Sequence, residues 1–456
     1  MNPQSIFGRL RALSPARCRD EYGRLLSLGA PVLVTQLGII VVSFADTIMV
    51  GAYGTSELAA AAFVNSLFLV MFVMMFGFAG GLTPLVGALY GKGDSDGCGR
   101  TLRAATQLNV LLSLGFTAIM GALYFFIPYM GQDPELLPLI RPYYLIILGG
   151  LVPTAIFNCF QQMANGTTDT AMPMWLILGA NLLNILGNYI LIFGHFGAPE
   201  MGLTGAGIST IVSRTLATLA ILLIMLRSRR YRPYQSGLRS SASVGGIRRK
   251  VWTTSYPVML QSGAECMLWS FGAVVCGWFG KIELAAYQIV NTAGQIGFMT
   301  YMSFGVALSI RVANLLGAGE LAAIRRAITA GVHINFLLGT LASAVFLIWF
   351  SPLMHVFTPD DAVVANAHAL LLPLILYQYC DAAQITFANA QRGTSRVKPL
   401  LWAALTAYIA VGIPVALLFA VGFGLENVGV YYSFCAALLC ASLMLGFCLR
   451  RTLRTL

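Results

Sequence analysis

Twelve separate runs of eighteen or more mostly apolar residues take up most of this 456-residue chain. They lie near 28–50, 59–83, 104–126, 143–164, 173–194, 203–226, 252–279, 284–310, 328–350, 366–390, 399–421 and 428–449. Each is long enough to cross a bilayer as a helix, which takes about 20 apolar residues. In hydrocarbon every backbone N–H and C=O must be satisfied within the protein, so continuous apolar runs of this length must be helical. The chain is therefore read as an all-α membrane protein with twelve transmembrane helices. Composition agrees: 58% of residues are hydrophobic and 10% charged, against about 25% charged in soluble domains. A soluble enzyme carrying one membrane anchor is excluded.

The charges that remain report orientation. Twenty-five of the 28 Lys and Arg fall before the first run, after the last, or in alternate connections at 92–103, 227–250, 311–326 and 392–398. The opposite side holds only Arg141 and Lys281, and Arg214 lies within a run. The positive-inside rule then places both termini in the cytoplasm. In a membrane protein the net charge of +11 speaks to topology before it speaks to nucleic acid, and no nucleic-acid partner is expected. Residues 1–27 carry five Arg and no cleavage pattern, so they are expected to form a cytoplasmic basic segment and not a signal peptide. Seven of the nine Cys (Cys159, Cys266, Cys276, Cys380, Cys435, Cys440 and Cys448) sit inside apolar runs, which suits packing better than a disulfide framework or a metal cluster.

The chain also repeats itself. An offset of 226 superimposes Pro31-Val32 on Pro257-Val258, Glu57-Leu58-Ala59-Ala60 on Glu283-Leu284-Ala285-Ala286, Val64-Asn65 on Val290-Asn291 and Asn109 on Asn335. Six helices are repeated, and because six is even both copies enter the membrane from the same side. The expected organisation is an N-lobe at 28–226 and a C-lobe at 251–449, two pseudo-symmetric six-helix parallel repeats. A basic linker at 227–250 joins them, and 450–456 forms a cytoplasmic tail. Rocking one lobe against the other would give alternating access.

Ionisable groups within the runs point to function, because at the bilayer centre each costs about 2.5–3.5 kcal/mol even on the lenient insertion scale. Glu265, Asp381 and, at about 1.5 Å per residue, the aromatic Phe298 fall near one depth in mid-membrane. Tyr377 lies one turn before Asp381 on the same face. Two carboxylates, a phenol and an aromatic face could hold a monovalent cation such as Na⁺ or share a proton. A shallower set in the first half is Asp46 with Asn184, Asn188 and Thr210, whose oxygens suit Na⁺ or a proton relay; interhelical hydrogen bonding is the plainer role of the amides. Arg214 either balances Asp46 or packs within its lobe. Gln36, Gln288, Asn291, Gln295, Gln378 and Gln384 are candidates for lining a polar substrate cavity. No Walker A, GxSxG or HExxH pattern occurs, so the chain is not read as an enzyme, no cofactor is expected, and transport energy would come from an ion gradient.

These residues resemble those of the multidrug and toxic compound extrusion (MATE) family, in its NorM-like branch. The resemblance runs from about residue 25 to 450. It is carried by Ala45-Asp46-Thr47-Ile48-Met49-Val50-Gly51, the two Glu-Leu-Ala-Ala turns, Asn184 through Asn188-Tyr189-Ile190-Leu191-Ile192-Phe193-Gly194, Glu265, Arg311-Val312-Ala313-Asn314-Leu315-Leu316-Gly317-Ala318-Gly319, and Tyr377-Gln378-Tyr379-Cys380-Asp381-Ala382 followed by Arg392-Gly393. The resemblance implies a V-shaped pair of lobes in the plasma membrane, the inner membrane of a bacterium, working as a monomer. It implies export of organic cations or amphipathic compounds in exchange for Na⁺ or H⁺, with a C-lobe cation site at Glu265 and Asp381 near the Phe298 aromatic, and an N-lobe site at Asp46, Asn184, Asn188 and Thr210. The sequence departs from the family at Phe298, which is Tyr in some relatives, and at Thr394-Ser395-Arg396, where an acid is common.

Other readings predict other residues. A major-facilitator transporter would carry an acid-Arg-x-Gly-Arg-Arg loop, which Gly91-Lys92-Gly93-Asp94 does not continue. Exporters of lipid-linked anionic carriers or of one specific metabolite share the two-lobe plan, but an anionic cargo calls for cavity Arg or Lys where this chain has acids. A receptor or scaffold would not depend on the buried acids at all.

Overall fold

A computed structural model describes residues 18–240 and 245–455. Arg9, Arg11 and Arg17 of the basic segment and residues 241–244 of the linker lie outside the described residues. Among the described residues, eleven single helices, and a twelfth span in two pieces, are long and apolar enough to cross a membrane. They are α1 (Arg19–Tyr53), α2 (Thr55–Gly91), α3 (Ser95–Tyr124), α4 (Pro134–Gly166), α5 (Ala171–Phe193), α6 (Gly202–Arg227), α7 (Gly245–Phe279), α8 (Lys281–Ala318), α9 (Leu321–His355), α10 (Asp361–Ala369 and Leu371–Gly393), α11 (Lys398–Gly422) and α12 (Glu426–Thr452).

The breaks within spans follow proline. A prolyl nitrogen has no hydrogen for the carbonyl four residues back, and its ring crowds that carbonyl. Pro373 acts in this way on Ala369, where α10 bends by 52°. Pro84 acts on Gly80, at the interruption of α2 at Gly81, and Pro153 on Gly149, at the interruption of α4 at Gly150. Upstream of Pro414, α11 widens into π-helix over Leu405–Gly412, the kind of local distortion often found at functional sites.

The chain divides into two compact units, one of Val34–Met259 and the other of the residues up to Leu33 together with Leu260 onward. The boundaries fall within α1 and α7, at repeat-equivalent positions three residues after Pro31 and Pro257. In the first unit, Phe68, Phe78, Tyr144, Leu151 and Leu203 are core residues. The start of α7 packs there too: Trp252 lies 5.6 Å from Phe78 by ring centroids, and a Cβ on Gly81 would fall 2.6 Å from the Ser255 Cα. In the second unit, Tyr287, Phe346, Leu374, Tyr408, Tyr431 and Phe434 are core residues. The start of α1 joins this unit through Leu25 and Leu28 against Leu308 and Ile324. Glu21 accepts two hydrogen bonds from Arg311, at 2.7 and 2.8 Å, and Tyr22 and His333 are hydrogen-bonded at 2.6 Å.

The first part of the linker is seated, not free. Residues Arg232–Arg239 form a short helix that crosses α3 where Gly99 faces the Tyr234 carbonyl and Gly237 faces the Asp96 carbonyl, each with no room for a Cβ. Ser236 donates to Asp96 and Arg103 to the Ser240 carbonyl. Tyr231 donates to Asp169 at 2.7 Å, and Arg230 pairs with the same carboxylate at 3.2 Å. All nine cysteines are free thiols.

Candidate functional site: carboxylates in the membrane spans of the two units

In the second unit the site is built on the lower piece of α10. Positions 377, 381 and 384 of this helix share a face, and Tyr377, Asp381 and Gln384 are all buried there. The Tyr377 hydroxyl donates to Asp381 Oδ2 at 3.2 Å, while Asp381 Oδ1 has no hydrogen-bond partner among the described residues. Glu265 on α7 is only half buried and acts electrostatically on Asp381. Neither acid enters an ion pair among the described residues. Trp269, one turn beyond Glu265, meets the Tyr377 ring edge-on with centroids 5.4 Å apart.

Phe298 packs with Met302 against Tyr301, Ala382 and Ile385, the last two being the neighbour of Asp381 on α10 and the residue one turn beyond it. From α8, Tyr301 donates to Gln378 Oε1 of α10 at 2.7 Å. Gln384 donates to the Tyr408 hydroxyl of α11 at 2.9 Å. Gln378 and Gln384 are thus enclosed partners of tyrosines, not lining of an open surface. Gln288 and Gln295 are exposed and Asn291 half buried, spaced 3 to 4 residues apart along one face of α8. Gln36 is half buried on α1.

The first-unit set is brought together in two pairs. Asn188 donates to Asp46 Oδ1 at 2.5 Å, and Asn184 to Thr210 Oγ1 at 3.1 Å. The two asparagines lie one turn apart on the buried face of α5, and the Oδ1 of each has no partner among the described residues. Arg214 does not ion-pair with Asp46; its guanidinium lies over the Phe72 ring, 5.3 Å from the centroid, though it still acts on Asp46 through space.

Two arginines read as loop charges belong to helices instead. Arg311 is within α8 and binds Glu21, and Arg392 is enclosed in the last turn of α10. An apolar run ends at its first charge, whereas a helix continues as long as its backbone bonds do. With Tyr301 and Tyr408, Arg392 completes the polar residues that sequence reasoning passed over. Tyrosines in apolar spans give no signal of their own; Arg392 was visible as an arginine beside a glycine, but not as enclosed.

The MatE family model matches residues 31–190 and again 257–418. The chain belongs to the MatE family. Its two matches begin 226 residues apart, the offset of the internal repeat. Among MATE relatives, the chain is 31% identical over 408 residues to multidrug resistance protein PmpM of Pseudomonas aeruginosa, spanning 88% of this chain and 84% of that one. It is 26% identical over 407 residues to multidrug resistance protein NorM of Photobacterium profundum, spanning 87% of each. Solved structures agree on the fold. A mutant form of the Vibrio cholerae MATE transporter VcmN superposes with TM-score 0.83 at 18% identity over 96% of this chain and 98% of that one. A MOP superfamily transporter from Pyrococcus furiosus superposes with TM-score 0.85 at 17% identity over 95% and 96%. Within the family, these relatives put the chain among the NorM-like transporters, with the MATE fold.

Proposed function

We propose that this MATE protein is a secondary active multidrug exporter, moving organic cations or amphipathic compounds out of the cell against Na⁺ or H⁺ by alternating access. The reading rests above all on Asp381 and Glu265, two neighbouring acids within membrane spans and without an ion-paired cation among the described residues. An intramembrane carboxylate that is neither paired nor fully hydrogen-bonded is stable only if it takes up a proton or a cation. The Asp46–Asn188 pair is a second place where such an ion can sit. The two repeats, 28–226 and 251–449 joined by the linker 227–250, supply the two lobes, the protein works as a monomer in the plasma membrane, and both termini face the cytoplasm. The relatives' names as multidrug resistance proteins support the cargo class.

The test is efflux of a cationic dye from proteoliposomes under Na⁺ and H⁺ gradients imposed one at a time, with Asp46→Asn, Glu265→Gln and Asp381→Asn. One gradient should drive efflux, and Glu265→Gln and Asp381→Asn should each lower it by about tenfold or more. Full activity in all three variants would sink the mechanism, and indifference to both gradients would sink the antiporter.

A further inference from the structure

Arg392 is the enclosed arginine of this site. It is 9% exposed, its Nε has no hydrogen-bond partner, and it makes no ion pair among the described residues. Arg311, on the neighbouring α8, shows the usual solution, with both arms of its fork on Glu21. A guanidinium has five N–H donors and no acceptor, and enclosing it without an anion is costly, so its charge needs a source of compensation farther off. Glu265 is the acid whose field reaches Arg392 and is reached in return.

The geometry between them is complementary. Arg392 lies three turns from Asp381 along α10 and on the same face, roughly 16 Å away at the backbone, and its long side chain shortens that gap. Along the interval, buried atoms wait without partners: Gln384 Oε1 one turn from Asp381, Gln261 Oε1 one turn from Glu265, and Asp381 Oδ1 itself. Ser309 Oγ is also unpartnered, on the stretch of α8 where the Ser309 carbonyl meets Gly393. Unused donors at one end and unused acceptors one turn from each carboxylate are what a moving guanidinium would require.

We propose that the guanidinium of Arg392 is a tethered cation that competes with the coupling ion for Glu265 and Asp381. When the coupling ion leaves, Arg392 moves along the acceptors toward the carboxylates; when an ion binds, Arg392 withdraws. Because Arg392 sits at the basic end of α10, its approach weakens ion binding from the side on which the ion is released. The inference rests on the antiporter reading above. The groups that face the pair are Cys266 from α7, Tyr377, Cys380 and Arg392 from α10, Tyr301 from α8, Tyr408 from α11 and, next to Tyr377, Tyr431 from α12. None of these besides Arg392 carries a positive charge.

Trp269, edge-on to the tyrosine that binds Asp381, is the reporter. In the full-length chain with its other tryptophans changed to Phe, Trp269 emission is titrated with Na⁺ and, separately, with H⁺. Arg392→Gln should move the half-response to about tenfold lower ion concentration, and Arg392→Lys, which keeps the charge, should stay near the parent. Gln261→Leu, which removes one acceptor and leaves the charge, should shift in the same direction by about threefold, and carries the test if Arg392→Gln does not fold. An unshifted midpoint in Arg392→Gln, or an equal shift in Arg392→Lys, overturns the competition. If Glu265→Gln and Asp381→Asn both leave the parent titration intact, the carboxylates do not bind the ion, and this inference falls with the proposed function. Loss of the titration in those two variants with no shift in Arg392→Gln overturns the inference alone.

Discussion

A carboxylate inside a helical bundle can be held by a neutral donor or left open on one side, and this protein does both. Asp46 accepts from an asparagine amide that is itself fully buried; Asp381 takes one phenol and leaves one oxygen open. Asn188→Leu should therefore strand Asp46 and lower ion-driven efflux by about tenfold, measured beside the parent under the same gradient. Phe298→Ala should act mainly on packing, lowering thermal stability in detergent while leaving the coupling-ion midpoint in place, because the ring lies against Ala382 and Ile385. Outside the membrane, burial and then the hydrogen bond to Asp169 push the Tyr231 phenol up from its ordinary value. Above pH about 10 the unfolded chain loses this proton and the folded one keeps it, so the folded state loses stability as pH rises. Tyr231→Phe should remove that part of the alkaline loss, read by thermal unfolding at pH about 9 and about 11. The three acids were legible in the sequence because a charge in an apolar run stands out. Tyr301 was not, since which aromatic of α8 faces α10 depends on the rotation of two helices about their axes.

At the scale of elements, small residues and prolines decide what hydropathy cannot. The run at 366–390 reads as one helix, yet Pro373 divides it and sets the direction from which the Tyr377–Asp381 face approaches its neighbours. The short linker helix depends on Gly99 and Gly237, whose missing side chains let two backbones touch. Gly237→Ala should destabilise the protein by about 1–3 kcal/mol, seen as a lower melting temperature and as faster proteolysis within 228–250. Nothing in a basic, Ser- and Gly-containing stretch marked those residues as a docked helix, because the close approach exists only once α3 lies opposite. Helices outrun the apolar runs for a related reason. α7 begins at Gly245 and α8 runs to Ala318, well past the apolar runs, since backbone hydrogen bonding continues through polar turns.

For the molecule as a whole, the repeat is visible at every level: in the residues, in the two matches to the family model, and in unit boundaries at equivalent places in α1 and α7. The opening turns of α1 belong to the unit of the second repeat, held by the Glu21–Arg311 pair. Glu21→Gln should cost about 3–5 kcal/mol by leaving Arg311 enclosed with no counter-charge, whereas Glu21→Met with Arg311→Met should recover most of that loss, as measured by thermal unfolding. Sequence alone determined the number of spans, the repeat and the acids, because bilayer thickness and the cost of buried charge act on composition along the chain and need no partner; the family resemblance lay in the motifs. Tertiary structure alone decided that Arg311 has a carboxylate while Arg392 pairs with none among the described residues, that Tyr301 hydrogen-bonds Gln378 of α10, and that the start of α1 packs with the second repeat. Each of these depends on which faces of distant helices meet, and hydropathy carries no information about rotation or pairing.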